Sequence, residues 1–348
     1  GGLTLTAYPL TTRIAQFDLT LMMVEAEGRL LASFEYNSDL FETATVVRMA
    51  DHFQTLLTAI ADHPAQPVSQ LTLLTNTEVI RLQDWNDTEV PLYLKQSVVD
   101  LIEEQAARNP DAVALVFDKT EIPFGELNIR ANRIAHYLRE VHRIGPNDRV
   151  GVLLDRSEWG VIALLGILKA AGVYVPVDPA YPAQRAGFML SDSACRLILT
   201  EAAQMKFLAD FQDRSRVVDI RAVDHANTRN PGLSLSQDQL SYMIYTSGST
   251  GQPKGVMQTH SCLSNLIRWQ IDRTGTGHRI LQYAALGFDV SLQETLYSMA
   301  SGSTLFIIPA ELRYDMPTLS DYLRDHRIHM FTMPFSALNL LFREGIRT

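Results

Sequence analysis

The residues best suited to chemistry in this sequence run from Thr246 to Gly251, with Lys254 close behind. The segment, TSGSTG, contains only glycine, serine and threonine, which favour an irregular turn. Small residues allow successive backbone N–H groups to converge on an anion, hydroxyls add donors, and the lysine adds a mobile positive charge. We therefore predict that Thr246 to Gly251, hereafter the phosphate loop, binds a triphosphate. An ordinary polar turn is the alternative.

The phosphate loop does not follow the Walker A pattern. GxxxxGK[ST] would require glycine at Pro253 and a hydroxyl at Gly255. Residues Leu240 to Tyr245 predict a buried strand before the loop, whereas a short strand follows Lys254 and a helix is predicted only from Leu263. The loop therefore has no helix N-terminus directly behind it and must bind phosphate through its own N–H groups, hydroxyls and lysine.

Composition is that of a globular protein, with 348 residues, enough for two domains, of which 46% are hydrophobic. The formal net charge of -9, the isoelectric point near 5.5 and the lack of a basic run argue against a nucleic-acid partner. The longest apolar stretch, Trp159 to Leu168, is about half a membrane span and predicts a buried helix instead of a membrane segment. Cys195 and Cys262 lack metal-ligand spacing, so we expect reduced core thiols in a cytoplasmic protein.

The first part of the chain predicts a small α+β piece without chemistry. Phe17 to Glu25 and Arg29 to Asn37 are apolar segments separated by a turn, which predicts two paired strands, and a helix is predicted from Thr43. Residues 76–95 are polar and irregular, as in a linker. We expect Trp85 to pack on a neighbouring domain and to fix the linker, a flexible tether being the alternative.

After residue 96, predicted strands and helices alternate. Such alternation predicts an α/β fold with parallel and mixed sheets layered with helices. The predicted strands are Ala112 to Phe117, Arg149 to Leu154, Val173 to Asp178 and Cys195 to Thr200, and the predicted helices start near Ser97, Leu127, Val161 and Pro182.

A second informative segment runs from Gly287 to Met299. Ser291 and Glu294 have the S-x-x-E spacing of a capping box, which predicts a helix start at Ser291. Asp289 precedes that start, so it is either another capping carboxylate or a ligand for a positively charged group.

Other polar residues are given structural interpretations. Leu168 to Arg185 predicts a helix, a glycine turn and a buried strand whose exit is fixed by prolines, without contact to substrate. His260 and His278 lack a partner suggested by spacing, so we interpret them as surface or loop histidines and not as acid–base groups.

Three segments resemble known families. YTSGSTGQPKG, from Tyr245 to Gly255, resembles the ATP-binding signature of the adenylate-forming enzymes, which include acyl-CoA ligases, luciferases and nonribosomal peptide synthetase adenylation domains. Leu168 to Arg185 resembles a second adenylation-domain motif, and FDLTL…FEYNSDLF…RMADHFQTLLTAI resembles the end of a condensation domain without its catalytic motif. The resemblance implies a peptide synthetase fragment, with a condensation-domain end at 1–75, a linker at 76–95 and a truncated adenylation-domain core at 96–348.

The resemblance implies roles for the phosphate loop. Lys254 and Thr246 are the candidate catalytic residues, with Lys254 bracing the loop or neutralising the departing pyrophosphate. The residues expected to hold the β- and γ-phosphates are Thr246, Ser247, Gly248, Ser249, Thr250, Gly251 and Lys254.

The resemblance also implies a site for an amino acid. Asp289 matches an aspartate that binds the substrate's α-ammonium group, and a carboxylate there disfavours fatty or aryl acids because they leave its charge unpaired. Val290, Gln293 and Thr332 fall on positions that line the side-chain pocket. Asp, Val and Gln together resemble the pockets of proline-selecting domains.

The implied reaction joins an amino acid to ATP, releases pyrophosphate and leaves an aminoacyl-adenylate for transfer to a phosphopantetheine thiol on a downstream carrier domain. No YGPTE-like or TGD-like segment is found, so we expect the Mg²⁺ ligand beyond residue 348 and little activity from this fragment alone. An acyl- or aryl-CoA ligase, and a non-catalytic scaffold, are the alternatives.

Overall fold

The structure is a computed structural model that describes residues 15–26, 28–89, 96–208, 216–247 and 252–345. The chain divides into two compact units, Gly1–Pro91 and Leu92–Thr348. Each unit is considered by itself.

The first unit confirms the predicted strand pair and helix. Strands β1 and β2 are antiparallel, with Leu19 opposite Tyr36, and the helix predicted from Thr43 begins there. The elements are β1 (Leu19–Ala26), β2 (Arg29–Tyr36), α1 (Thr43–Asp62), a 3-10 turn (Val68–Gln70) and α2 (Asn76–Asn86).

The prediction of an irregular segment is wrong for Asn76–Asn86, because these residues form α2. The helix starts with a capping box: the Thr75 hydroxyl accepts from the Glu78 N–H at 3.3 Å, and the Glu78 carboxylate accepts from the Thr75 N–H at 2.9 Å. Trp85 lies on this helix and is 68% exposed. Its docking on a neighbouring domain stays a prediction.

The second unit contains alternating strands and helices, as predicted. Its strands are β3 (Val113–Phe117), β4 (Thr120–Pro123), β5 (Arg149–Leu153), β6 (Val173–Pro176), β7 (Leu197–Thr200), β8 (Val217–Asp219), β9 (Leu240–Ser247), β10 (Pro253–Thr259), β11 (Arg279–Gln282) and β12 (Thr304–Ile307). Its helices are α3 (Val98–Arg108), α4 (Phe124–Glu140), α5 (Glu158–Lys169), α6 (Ala183–Asp192), α7 (His260–Thr274), α8 (Asp289–Ala300), α9 (Met316–Asp325) and α10 (Phe335–Leu340). Shorter 3-10 turns cover Ala202–Leu208, Ile220–Ala222 and Glu311–Tyr314, and a π-helical turn covers Leu341–Gly345.

Two sheets organise this unit and confirm the predicted α/β class. The six-stranded sheet has the order β10-β9-β6-β5-β7-β8 and is parallel except at β10, which runs antiparallel to β9. The four-stranded sheet has the order β11-β12-β3-β4 and is parallel except at β4. Helix α5 contacts β5 and β6 of the first sheet and β3 of the second, so it links the two sheets.

Helix α5 confirms that the longest apolar stretch is a buried helix. Its residues from Val161 to Lys169 are all buried. At Gly166 it approaches α4 so closely that a Cβ atom would lie 2.6 Å from Cγ2 of Ile134. Along the described residues, no helix has the length and hydropathy needed to cross a membrane.

The two cysteines differ in environment. Cys195 is a buried free thiol, as predicted, and burial raises its pKa to about 11. Cys262 is free but exposed, so the prediction of a core thiol is wrong there. Its position on the solvent side of α7 explains the difference.

A buried polar cluster lies at the end of α5. The Lys169 ammonium, with 1% of its side chain exposed, lies 2.5 Å from the Glu103 carboxylate of α3. It also lies 3.4 Å from the side-chain oxygen of Asn230, which accepts from the amides of Asn128 and Asn132 at 2.9 Å. Burial lowers the pKa of Lys169, whereas the charge of Glu103 raises it.

Candidate functional site

Strands β9 and β10, on either side of the phosphate loop, pair antiparallel as a hairpin. The strand predicted before the loop is confirmed, and β9 continues through Thr246 to Ser247. Lys254 on β10 lies directly opposite Thr246. Gly248, Ser249, Thr250 and Gly251 lie outside the described residues.

Lys254 shares a strand face with residues that line a cavity. Val256 and Gln258 line this cavity, and residues two apart on a strand point to the same side. The Lys254 side chain is exposed, so its ammonium group is free to move toward an anion at this face. The helix behind the loop, α7, begins only at His260, so no helix N-terminus directly follows Lys254.

The glycine after Lys254 lies close to side chains of β9. Gly255 lies opposite Tyr245, and a Cβ atom at this position would lie 2.0 Å from Cε of Met243, the end of a flexible side chain. A larger residue would therefore require Met243 to move, while Lys254 points to the opposite face.

The cavity beside this hairpin has a volume of about 400 Å³ and brings two predicted sites together. Thr246 and Ser247 of the phosphate loop line it, and so does Asp289. Asp289 lies more than 40 positions after Thr246 and Ser247 in sequence, yet a single molecule in the cavity has access to all three. Its remaining wall comes from Tyr181, Arg185, Tyr242, Ile244, Tyr245, Val256, Gln258, Gly287 and Phe288.

Asp289 is the first residue of α8, and its carboxylate accepts from the N–H of Val290 at 2.9 Å. It is exposed toward the cavity. Burial raises the pKa of the neighbouring Tyr242 hydroxyl, and the charge of Asp289 raises it further. The carboxylate therefore contributes negative charge to this side of the cavity.

The predicted capping box at Ser291 and Glu294 is wrong. Helix α8 begins two residues before Ser291, with Phe288 as N-cap and no side-chain cap. The Ser291 hydroxyl instead donates to the Phe288 carbonyl at 2.7 Å, and Glu294 is buried within the helix. Ser291 and Glu294 have the spacing of a capping box, but Ser291 lies inside the helix and not at its N-cap.

Glu294 and Arg156 hold the segment that leads to Asp289, a role that sequence reasoning missed. The Arg156 guanidinium donates to the carbonyls of Gln282 at 2.9 Å and Tyr283 at 3.1 Å, and also to that of Ala284. The Glu294 carboxylate accepts from the Ala284 N–H at 3.1 Å. The two ionisable side chains thus fix the backbone after β11. The sequence signal for them was an ionisable residue in apolar surroundings.

A pH dependence of stability follows from Glu294. Burial raises its pKa to about 8, against the opposing effects of the Ala284 and Tyr283 N–H groups and the charge of Arg156. Since this value lies above the ordinary 4.5, the folded state holds an extra proton between the two, and the free energy of unfolding falls as pH rises through this range. We expect Glu294→Gln to gain stability relative to wild type between about pH 5 and pH 8.

Urea denaturation at several pH values measures this effect. The urea concentration at the midpoint of unfolding should rise for Glu294→Gln relative to wild type as pH rises. A constant difference, or a shift in favour of wild type, would show that Glu294 is ionised throughout and paired with Arg156.

Two cavity residues come from a segment that was interpreted as purely structural. Tyr181 and Arg185 line the cavity, and the Arg185 guanidinium lies 4.3 Å from the centre of the Tyr181 ring. Helix α6, which carries Arg185, is tied to β9 by the Tyr245 hydroxyl, which donates to Asp192 at 2.7 Å. The C-terminal end of the segment Leu168 to Arg185 therefore belongs to the cavity wall, and the prediction that it makes no contact with substrate stays untested.

Three predicted pocket residues lie elsewhere on the same unit. Val290, Gln293 and Thr332 do not belong to the described wall of the cavity. The Gln293 amide donates to the Gln270 side chain at 2.9 Å, which links α8 to α7, and Thr332 is exposed. Their role in a side-chain pocket stays a prediction.

The histidines have separate environments. His260 is buried, not on the surface as predicted, and burial lowers its pKa to about 4. His278 lies in the loop between α7 and β11, as predicted, within 2.7 Å of the Thr274 carbonyl. In the described ranges, no group of three or more His, Cys, Asp or Glu side chains is arranged to hold a metal ion.

Comparisons with known proteins cover almost the whole chain. It is 38% identical, over 99% of its length, to chondramide synthase cmdD of Chondromyces crocatus. It is 37% identical, over 96% of its length, to surfactin synthase subunit 1 of Bacillus subtilis strain 168. The chain spans 9% and 10% of these two proteins, respectively.

Solved structures and family comparisons agree with these relatives. A holo four-domain nonribosomal peptide synthetase bound to AMP and glycine is similar, with a TM-score of 0.82 and 26% identity, covering 94% of this chain and 24% of that one. Residues 1–82 match the condensation domain family, and residues 102–348 match the AMP-binding enzyme family. The predicted resemblance to peptide synthetases is thus confirmed, and this chain belongs to the family of AMP-binding enzymes.

Proposed function

We propose that this chain forms part of a nonribosomal peptide synthetase module that uses ATP to activate an amino acid as its aminoacyl-adenylate. One observation carries the proposal: Thr246, Ser247 and Asp289 line one cavity. Hydroxyls and backbone N–H groups suit phosphate, whereas a carboxylate suits an ammonium group. The similar structure bound to AMP and glycine supports this pair of ligands.

In this proposal the protein positions two substrates and supplies no covalent nucleophile. A carboxylate oxygen of the amino acid attacks the α-phosphorus of ATP, the bond to the bridging oxygen breaks, and pyrophosphate leaves with the electron pair. Thr246 and Ser247 hold the phosphates from one side, with the remaining loop residues Gly248, Ser249, Thr250 and Gly251. Lys254, opposite Thr246, offsets negative charge on the leaving pyrophosphate.

The amino acid would lie between these groups and Asp289. A charge-assisted hydrogen bond from its α-ammonium group to Asp289 fixes the carboxylate near the phosphates. Val290, Gln293 and Thr332 are proposed to select the side chain, with a proline-like amino acid as first candidate. Mg²⁺ is expected with ATP; among the described residues no group of three or more His, Cys, Asp or Glu side chains could hold a metal ion, and no step here depends on it.

The remaining parts of the proposal concern the whole polypeptide. We place the end of a condensation domain at 1–75, a linker at 76–95 and the adenylation core at 96–348. The aminoacyl group would then pass to a phosphopantetheine thiol on a carrier domain of the same polypeptide.

The proposed function is tested by ATP–pyrophosphate exchange. The intact module is assayed with a panel of amino acids that includes proline. Exchange that depends on one amino acid supports the proposal. Exchange supported equally by acids without an α-amino group would favour an acyl- or aryl-CoA ligase. No exchange, together with no thermal stabilisation by ATP, would favour a non-catalytic scaffold.

Replacing Lys254 with alanine should slow exchange by about 10- to 100-fold, because one positive charge near the leaving pyrophosphate is lost. The side chain is exposed, so we expect the urea midpoint to stay unchanged. Lys119→Ala, at an exposed lysine in the β3–β4 turn, is the matched control. An exchange rate equal to that of the control would remove Lys254 from the reaction.

A further inference from the structure

Arg185 is a positively charged residue in the cavity wall that the proposed reaction has not yet used. Its Nε atom is enclosed by protein and has no hydrogen-bond partner in the structure. Within the described part of the chain, no carboxylate lies within ion-pair distance of its guanidinium. Because this guanidinium lines the cavity and no described carboxylate pairs with it, its charge favours an anionic ligand there.

Tyr181 fixes the direction of this arginine. The guanidinium stacks over the Tyr181 ring at 4.3 Å, an arrangement stabilised by cation–π attraction. The ring in turn packs against Gly287, where a Cβ atom would lie 2.3 Å from the tyrosine hydroxyl oxygen. One face of the guanidinium is therefore covered by the Tyr181 ring, while the Arg185 side chain also lines the cavity.

The phosphate chain of ATP is the anion that fits this position. Thr246 and Ser247 line the same cavity and supply neutral donors, which bind phosphate but do not offset its charge. Lys254 is exposed and carries its charge on a flexible stem, whereas the Arg185 guanidinium is rigid and suits paired phosphate oxygens. Asp289, whose charge is negative, repels a phosphate, so the positively charged Arg185 is the better partner for it in the cavity wall.

We propose that Arg185 binds phosphate oxygens of ATP and of the leaving pyrophosphate, with Tyr181 as its positioning residue. This inference rests on the proposed adenylation function and adds a second charged contact from α6 to those of the β9–β10 hairpin. It predicts that the two residues affect binding of phosphate-containing ligands and leave amino acid binding unchanged.

Calorimetric titration of the intact module with ATP and with inorganic pyrophosphate tests the assignment. Arg185→Gln should weaken binding of both by about 10-fold or more, since a charge-assisted hydrogen bond is lost. Tyr181→Leu should weaken both by about threefold, and Tyr181→Phe, which keeps the stacked ring, should restore wild-type affinity. Arg196→Gln is the matched control, because Arg196 is an exposed arginine paired with Asp148 at 2.8 Å.

Exchange kinetics separate this inference from the function on which it rests. Arg185→Gln should raise the KM values for ATP and pyrophosphate and leave the KM for the amino acid unchanged. If wild type catalyses exchange but Arg185→Gln matches Arg196→Gln, or if only the amino acid KM rises, the Arg185 assignment is wrong and the adenylation function stands. If wild type neither binds ATP nor catalyses exchange, both are wrong.

Discussion

Replacing Asp289 with asparagine is expected to lower kcat/KM for the amino acid by about 100-fold or more in exchange by the intact module. The replacement keeps the size of the side chain but removes the charge that would face the α-ammonium group. In the proposed complex that group would then lie in the cavity without an opposite charge, and truncation of one partner of a buried charge pair costs about 2–5 kcal/mol. The KM for ATP should change little, because a carboxylate is not expected to bind the phosphates.

Substrate analogues make this expectation specific to the amino group. Wild type should discriminate strongly against the analogue of its preferred amino acid that lacks the α-amino group, and Asp289→Asn should reduce that discrimination. Asp325→Asn is the matched control, because Asp325 is exposed on α9 far along the sequence from the cavity residues. If Asp289→Asn loses activity equally toward both analogues, or behaves like the control, Asp289 does not bind the ammonium group.

The sequence predicted the parts of this site that depend on local chemistry. The strands before and after the phosphate loop and the late start of α7 all follow from hydrophobic pattern and turn residues near the loop. The role of Asp289 came from family resemblance, and the shared cavity with Thr246 makes that role physically reasonable.

Features that depend on tertiary contacts were not predicted. Glu294 was assigned to a helix cap because its spacing from Ser291 fits one, yet its carboxylate is used to hold the Ala284 backbone. Arg185 was assigned to a structural segment, because nothing in the local sequence shows that α6 brings it beside Tyr181 in the cavity wall. Both positions result from packing between elements that are distant in sequence, which periodicity does not report.

In the first unit, a local sequence signal for a helix start was present but was not used. Residues Asn76–Asn86 were interpreted as irregular because they are polar and carry no strong apolar stripe. Thr75 and Glu78 nevertheless form a capping box at the start of this helix. The capping box that was predicted at Ser291 does not form. A T-x-x-E sequence was present at the correct place, and it outweighs low hydrophobicity at this helix start.

Replacing Glu103 with glutamine should destabilise the second unit by about 3 kcal/mol or more, the largest expected effect on folding among the residues considered. The substitution leaves the Lys169 ammonium, with 1% of its side chain exposed, without its charged partner at 2.5 Å. Glu126→Gln is the matched control, because it removes an exposed i,i+4 pair with Arg130 and should cost less than about 1 kcal/mol. Urea denaturation at pH 7 compares the two variants.

The pH dependence of Glu103→Gln distinguishes an unpaired charge from a simple loss of packing. Burial already lowers the pKa of Lys169 below 10.5, and removal of Glu103 removes an effect that raises it. Between the lowered pKa of Lys169 in the folded variant and 10.5 in the unfolded one, the unfolded state binds more protons. The free energy of unfolding of Glu103→Gln should therefore rise with pH in this range. A deficit that stays constant between about pH 7 and pH 10 would show that packing, not charge, causes the loss.

Removal of both charges tests whether the Lys169–Glu103 pair itself stabilises the fold. Lys169→Met with Glu103→Leu removes both charges and keeps apolar volume, so the stability of the double variant should be close to that of wild type or above it, in contrast to Glu103→Gln. The side-chain oxygen of Asn230 would still accept from Asn128 and Asn132, so the cluster keeps its other hydrogen bonds. If the double variant is as unstable as Glu103→Gln, the ion pair itself stabilises this part of the fold beyond the cost of leaving one charge alone.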